Sequence, residues 1–132
     1  MKEPVNGIDG KTLLKSFGYA IKGVKHLLRT EQNARIHLTA AVLAFFLSVA
    51  FHITRVEAMI IFIAVTMVFA LEIINTAIEK ILDFLHPDSH SVIGEVKDAL
   101  AGAVLIAAFI AAVVAVLIFY PYVKELFETL MY

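Results

Sequence analysis

The chain contains no cysteine, and charged residues make up only 17% of its 132 positions. Without cysteine there is no disulfide framework, no thiolate zinc site and no thiol nucleophile. Eleven Lys and Arg stand against twelve Asp and Glu, so no global excess of positive charge marks a nucleic-acid binder. No Gly-rich phosphate loop occurs, which separates any nucleotide site from the P-loop and protein-kinase types. Internal repeats, low-complexity tracts and a second domain are also missing, so residues 1–132 read as one domain. Abundant instead are apolar residues, at 61% of the chain, with a mean hydropathy of +0.86. Ordinary globular domains hold roughly 45–50% apolar residues even with Gly counted. A soluble domain this small buries too little area to hide such a surface, and disordered chains are poor in apolar residues. The expected class is an all-α integral membrane protein.

Three segments are long enough to cross a hydrocarbon core, for which ~20 apolar residues suffice. The first covers 36–53. The second covers 58–85, apolar from Ala58 to Leu71 and then carrying Glu72, Asn75, Glu79 and Asp83 in helical pattern. The third covers 98–120, uncharged from Ala99 to Tyr120 and ended by Pro121, leaving 121–132 as a short tail. The link Thr54-Arg55-Val56 is short enough to force an antiparallel hairpin, and 86–91 carries turn residues. Ahead of the spans, the basic start lacks the apolar run of a signal peptide. Over 9–29, Leu13, Leu14, Phe17, Ile21, Val24, Leu27 and Leu28 recur at three- and four-residue spacing beside Lys11, Lys15, Lys22, Lys25 and Arg29. That pattern suits an amphipathic helix lying in the headgroup plane; packing on another subunit is the alternative. Nine of the eleven Lys and Arg fall in the segment through Arg35 or flank the second loop, as Lys80 and Lys97 do. The positive-inside rule then puts the N-terminus and that loop in the cytoplasm.

The chemistry gathers where the second span nears that side. At 100° per residue, Glu72, Asn75, Glu79 and Asp83 point to about 0°, −60°, −20° and +20°, one face of a helix. Carboxylates at membrane depth are costly unless paired, solvated or metal-bound, so the stripe reads as a site. The plainer reading leaves Glu79 and Asp83 as the solvated end of a long helix. Glu31 lies just ahead of the first span, as a site member or an ordinary interfacial charge. Lys97 and Asp98 open the third, where a helix N-terminus favours an anion, although Lys97 also fits a positive flank. Carboxylates without thiols suit a hard cation such as Mg²⁺. Together with a lysine and a helix N-terminus they suggest a polyphosphate, beside a carboxylate able to deprotonate a hydroxyl.

The run Glu72-Ile73-Ile74-Asn75-Thr76-Ala77-Ile78-Glu79-Lys80-Ile81-Leu82-Asp83, with Lys97-Asp98 fourteen residues on, resembles the signature of the prokaryotic diacylglycerol kinase/undecaprenol kinase family. The similarity extends from about Leu13 to Phe119 and includes Gly18-Tyr19, Lys22-Gly23, Glu31 and Arg35. It implies an interfacial helix plus three transmembrane helices in a homotrimer with shared sites, placed in the plasma (inner) membrane. It also implies transfer of the γ-phosphoryl of MgATP to a membrane lipid alcohol. By the same resemblance Glu72 is the general base, and Glu31 and Glu79 are the Mg²⁺ ligands. Tyr19 contacts the adenine, while Asp88, His90, Lys97 and Asp98 hold the phosphates and nucleotide. Asn75 and Ala101 face the lipid with Glu72, and Asp83 and Lys15 support the site. Two features depart from the pattern: Thr12 stands where a basic residue is usual, and about ten residues follow Pro121.

The order Ala101-Gly102-Ala103-Val104 and the pair Ile36-His37 resemble the undecaprenol branch, an apolar Ile36 beside the site offering nothing to a glycerol ester. Diacylglycerol is the alternative substrate. A small cation-coupled transporter is the rival of a different class, although Thr66 is the one polar group between Ala58 and Leu71.

Overall fold

A computed structural model describes residues 10–86 and 91–131, and the described chain is helical with no strand. Four helices follow in order: α1 Gly10–Thr30, α2 Gln32–Ala50, α3 Arg55–Leu85 and α4 Ser91–Met131. The last three are long and apolar enough to cross a membrane. Helix α1 buries only Leu27, and Leu14 and Phe17 stay exposed, as an interfacial helix requires. It ends at Glu31, whose extended backbone (φ −103°, ψ 123°) breaks the path into α2. Along the spans, Phe45, Phe62, Leu105 and Leu117 are also exposed, the mark of a surface made for lipid or for other subunits.

The hairpin between α2 and α3 closes with two interlocking end motifs. At the end of α2, the His52 N–H donates to Val49 O and the Ile53 N–H to Ser48 O, both at 3.3 Å. This is a Schellman motif, with His52 in the left-handed region at φ 51°. Ile53 and Leu47 both pack against the buried cluster of Ala44, Ile61 and Phe119. Thr54 caps α3 at once: its Oγ1 accepts from the Glu57 N–H, and its own N–H donates to Glu57 Oε2 at 2.8 Å, a capping box. The helix therefore takes in Arg55 and Val56, and the link is Phe51-His52-Ile53-Thr54 rather than Thr54-Arg55-Val56.

Helix α4 departs most from expectation. It starts at Ser91 and runs through Pro121 to Met131, so 121–132 is not a separate tail over its described part. Proline removes one backbone donor, yet the residues around it are anchored from outside the helix. Tyr122 donates its hydroxyl to Glu57 Oε2 at 2.8 Å, and the Phe51 ring lies 6.2 Å from Phe119 and 6.0 Å from Tyr122. Ala44, Ile61 and Phe119 form the buried cluster beneath. Helices α3 and α4 pack along much of their length, whereas α2 and α4 meet sparingly.

Left-handed backbone is costly for any residue with a Cβ. His52→Gly is expected to raise the stability of detergent-solubilised protein by about 0.5–1 kcal/mol, read as an upward shift of the thermal midpoint. A lower midpoint would mean that the His52 ring makes a contact worth more than the relief of its backbone.

Candidate functional site

Burial along α3 rises from its polar end towards the bilayer. Asp83 is exposed, Glu79 half-buried, and Asn75, Thr76 and Glu72 buried, with Glu72 only 3% exposed. The 3.6-residue period puts the carboxylates and the amide on one face, and that face turns towards α2 and α4. A half-open cleft of about 500 Å³ lies there, lined by Asn33 and His37 of α2, Glu72 and Asn75 of α3, and Asp98, Ala101 and Gly102 of α4. Thus Glu72, Asn75, Asp98 and Ala101 do meet.

Neither Glu72 oxygen has a hydrogen-bond or ion-pair partner among the described residues. Asn75 donates from Nδ2 to Glu79 Oε1 at 3.3 Å, but its Oδ1 is buried without a partner. Buried polar groups are satisfied in most proteins, and an orphan points to strain or to a missing ligand. Glu31, Glu79 and His37 all lie within Coulombic range of Glu72. At the α1–α2 break Glu31 is held by Lys80 Nζ at 3.2 Å and by the Thr30 hydroxyl at 3.0 Å. Those two contacts, Lys80 foremost, hold its carboxyl below the usual carboxylate range.

Other expected members lie elsewhere. Tyr19 is exposed on α1 with Lys22 Nζ 5.8 Å from its ring centre, and Lys15 is exposed on the same helix; neither lines the cleft. Lys97 pairs with Asp83. With α4 beginning at Ser91, Lys97 and Asp98 sit in its second turn, and the free N–H groups of the helix start belong to residues before them. Asp88 and His90 fall outside the described residues. Ile36 does not border the cleft but a separate groove with Arg35 and Thr39, so its apolarity says nothing about the acceptor. Asn33 and His37 were not among the expected site residues. Their i, i+4 spacing, continued by Ala40, Ala41 and Ala44, was the available signal.

A metal held by the protein alone is not supported: among the described residues no three His, Asp or Glu side chains gather for one. Mg²⁺, however, is commonly held by one or two carboxylates plus substrate phosphates and water, and Glu31 and Glu79, both within Coulombic range of Glu72, have the donor chemistry for that mode. A transport path is opposed by α3 itself. Its buried residues outward of Glu72 are the apolar Val68 and Ile61, so the buried polar groups are confined to one end.

Residues 18–119 match the prokaryotic diacylglycerol kinase family. The undecaprenol kinase of Bacillus subtilis is 37% identical over 107 residues, covering 81% of this chain and 87% of that protein. A diacylglycerol kinase of Synechocystis is 34% identical over 77% of this chain and 59% of its own length. The diacylglycerol kinase of Escherichia coli is 29% identical over 82% and 89%.

An unpartnered buried carboxylate contributes nothing to folding and costs desolvation. Glu72→Gln, nearly isosteric, is therefore expected to unfold in detergent at or above the wild-type midpoint. A loss of more than about 1 kcal/mol would reveal a structural partner for Glu72.

Proposed function

The chain belongs to the prokaryotic diacylglycerol kinase family, and we propose that within it this lipid kinase phosphorylates undecaprenol, using MgATP at the cleft around Glu72. The observation that carries the reading is a buried carboxylate without a partner among the described residues, beside an orphaned amide oxygen in a half-open cleft. The similarity to an undecaprenol kinase supports the choice of acceptor.

In this mechanism Glu72 accepts the proton of the lipid hydroxyl. The hydroxyl oxygen forms its bond to the γ-phosphorus as the bond to the β–γ bridging oxygen breaks, and ADP departs. The Asn75 oxygen orients the hydroxyl, and its amide group keeps Glu79 in place. Glu31 and Glu79 would hold Mg²⁺, which would supply neutralisation of charge on the phosphates. Lys97 and Asp98 hold the nucleotide with Asp88 and His90, and Ala101 leaves space for the lipid. Asp83 positions Lys97 by their ion pair. The adenine lies against Tyr19, with Lys15 nearby as support. Both α1 residues stand away from the cleft of their own chain, which supports a homotrimer whose sites are completed by a neighbouring copy. The cleft lies at the end rich in Lys and Arg, so the positive-inside rule places it on the cytoplasmic face of the plasma membrane.

Purified protein is expected to convert undecaprenol to its monophosphate with release of ADP, at higher kcat/KM than diacylglycerol at matched surface concentration. Glu72→Gln is expected to lose ~10²–10⁴-fold in turnover with nucleotide binding kept. Preference for diacylglycerol would reassign the acceptor, and no ATP turnover with any lipid alcohol would end the proposal. Glu31→Gln and Glu79→Gln are each expected to raise the Mg²⁺ concentration needed for half-maximal activity. Unchanged Mg²⁺ titrations in both would remove them from the metal site.

A further inference from the structure

Beyond the cleft, a narrow cavity of about 150 Å³ continues into the apolar part of the bundle, with walls on α2 and α4 and its floor on α3. Eight of its twelve lining residues are alanine, and His37, at one end, is its sole polar member. The cavity exists because α2 and α4 meet sparingly and face each other with methyl groups too short to close the gap. His37 and Ala108 line both this slot and the Glu72 cleft. At its other end, Ala41, Ile61 and Val65 are shared with a wider apolar groove between α2 and α3 that includes Phe45 and Phe62. Cleft, slot and groove thus adjoin through shared lining residues, polar at the Glu72 end and apolar through the slot beyond His37, with the Ser48 hydroxyl of the outer groove committed to Ala44 O.

The occupant is constrained from both ends. A water file has no polar partner past His37, and a helix about 10 Å across cannot enter so slender a space. At the head of the path, Glu72 and Asn75 are both more than nine-tenths buried. Asn75 Oδ1 has no partner, and none is present for Glu72 among the described residues, so the polar end awaits a hydrogen-bonding group. A hydroxyl on one slender hydrocarbon chain satisfies both ends at once.

We propose that the alanine-walled slot seats the first part of the acceptor's hydrocarbon chain, and that it selects an alcohol carrying a single chain over one carrying two. The inference rests on the lipid-kinase reading of the cleft and adds to it the place of the chain. Two acyl chains leaving adjacent carbons cannot enter one slot together, so a diacylglycerol keeps one chain outside and forfeits those contacts. A polyprenol threads the slot and leaves through the outer groove into lipid.

The slot is tested by filling it and by labelling it. Ala111→Leu and Ala64→Leu place bulk in the path, while Val116→Leu, on an exposed face of α4 outside it, serves as control. Both slot variants are expected to raise the KM for a long polyprenol by about tenfold or more, the scale of discrimination by apolar contacts, with the KM for ATP and the control unchanged. Unchanged polyprenol KM in both variants overturns the slot while leaving the kinase reading intact. A measurement on the unmodified protein covers poorly folding variants. A polyprenol bearing a diazirine near its hydroxyl end is expected to label the α4 segment around Ala108 and Ala111. Label found only on exposed residues outside the path, such as Phe109 or Leu117, overturns the proposal. So does efficient crosslinking between copies through Ala111→Cys, introduced into a chain without other cysteines, because a second copy then fills the slot. Labelling of the slot by a protein that phosphorylates no alcohol would instead sink the kinase reading and keep the binding site.

Discussion

Everything at the polar end of this bundle is arranged around one costly placement, a carboxylate buried without a partner. Removing an ionised group from water costs several kcal/mol even after the surroundings relax, and Glu72 has no ion pair to offset it. The polar neighbours stop short of doing so. Asn75 turns its donor to Glu79 and leaves its oxygen free, Lys80 is committed to Glu31, and Lys97 to Asp83. Both lysines are thus occupied by other carboxylates. Glu72 is thereby kept from a neutralising partner that would stabilise the fold and, in the proposed mechanism, block its reaction with a hydroxyl. Natural sites sacrifice stability for function in this manner.

The stability forgone at that end is concentrated at the other. There the Schellman turn at His52, the Thr54–Glu57 capping box and the Tyr122–Glu57 hydrogen bond meet the Phe51, Phe119 and Tyr122 rings. Backbone ends, side-chain bonds and aromatic area coincide within one cluster, and the three spans are clamped together. Towards Glu72 the same helices separate, with alanines between α2 and α4 and exposed ion pairs of the kind worth ~0–1 kcal/mol. Stability is distributed unevenly in such a bundle, and mobility belongs to the less clamped end. An enzyme that admits a lipid laterally and a nucleotide from water needs that end to be the adaptable one.

Much of this was legible in the chain. Three spans, the amphipathic start and the one-faced stripe from Glu72 to Asp83 follow from hydropathy and the 3.6-residue period, because in lipid the backbone must satisfy itself and leaves few folds to choose from. The termination at Pro121 failed for a physical reason. Proline weakens a helix locally, while Tyr122 and Phe119 hold the following turns through contacts with Glu57 and Phe51, which are distant in sequence. The start of α4 was set too late because the span was counted from its uncharged run after Lys97-Asp98, although a helix may begin outside the hydrocarbon. His37 escaped notice as a site residue since one titratable group near a span end is common. Only the packing of α2 against α3 and α4 turns it inward, and a one-position change of facing sends Ile36 to a different groove.

The break at Glu31 joins the basic interfacial helix to the carboxylate end of the bundle. Were α1 to run straight into α2, the basic amphipathic helix would be directed away from the bilayer surface and Glu31 would be one more helical side chain. Instead the extended backbone at Glu31 lets α1 take its own direction, and Lys80 with Thr30 fixes the carboxylate at the corner. That corner stands at the level where α3 passes from apolar to charged residues, between Glu72 and Glu79. A phosphorylated nucleotide held there remains in water, while a hydroxyl anchored to a hydrocarbon chain reaches the same level from below. Neither substrate has to cross into the other's phase. In the proposed mechanism the reacting atoms meet because the carboxylates lie in depth order along α3, the shallow ones assigned to charge and the deepest to the proton.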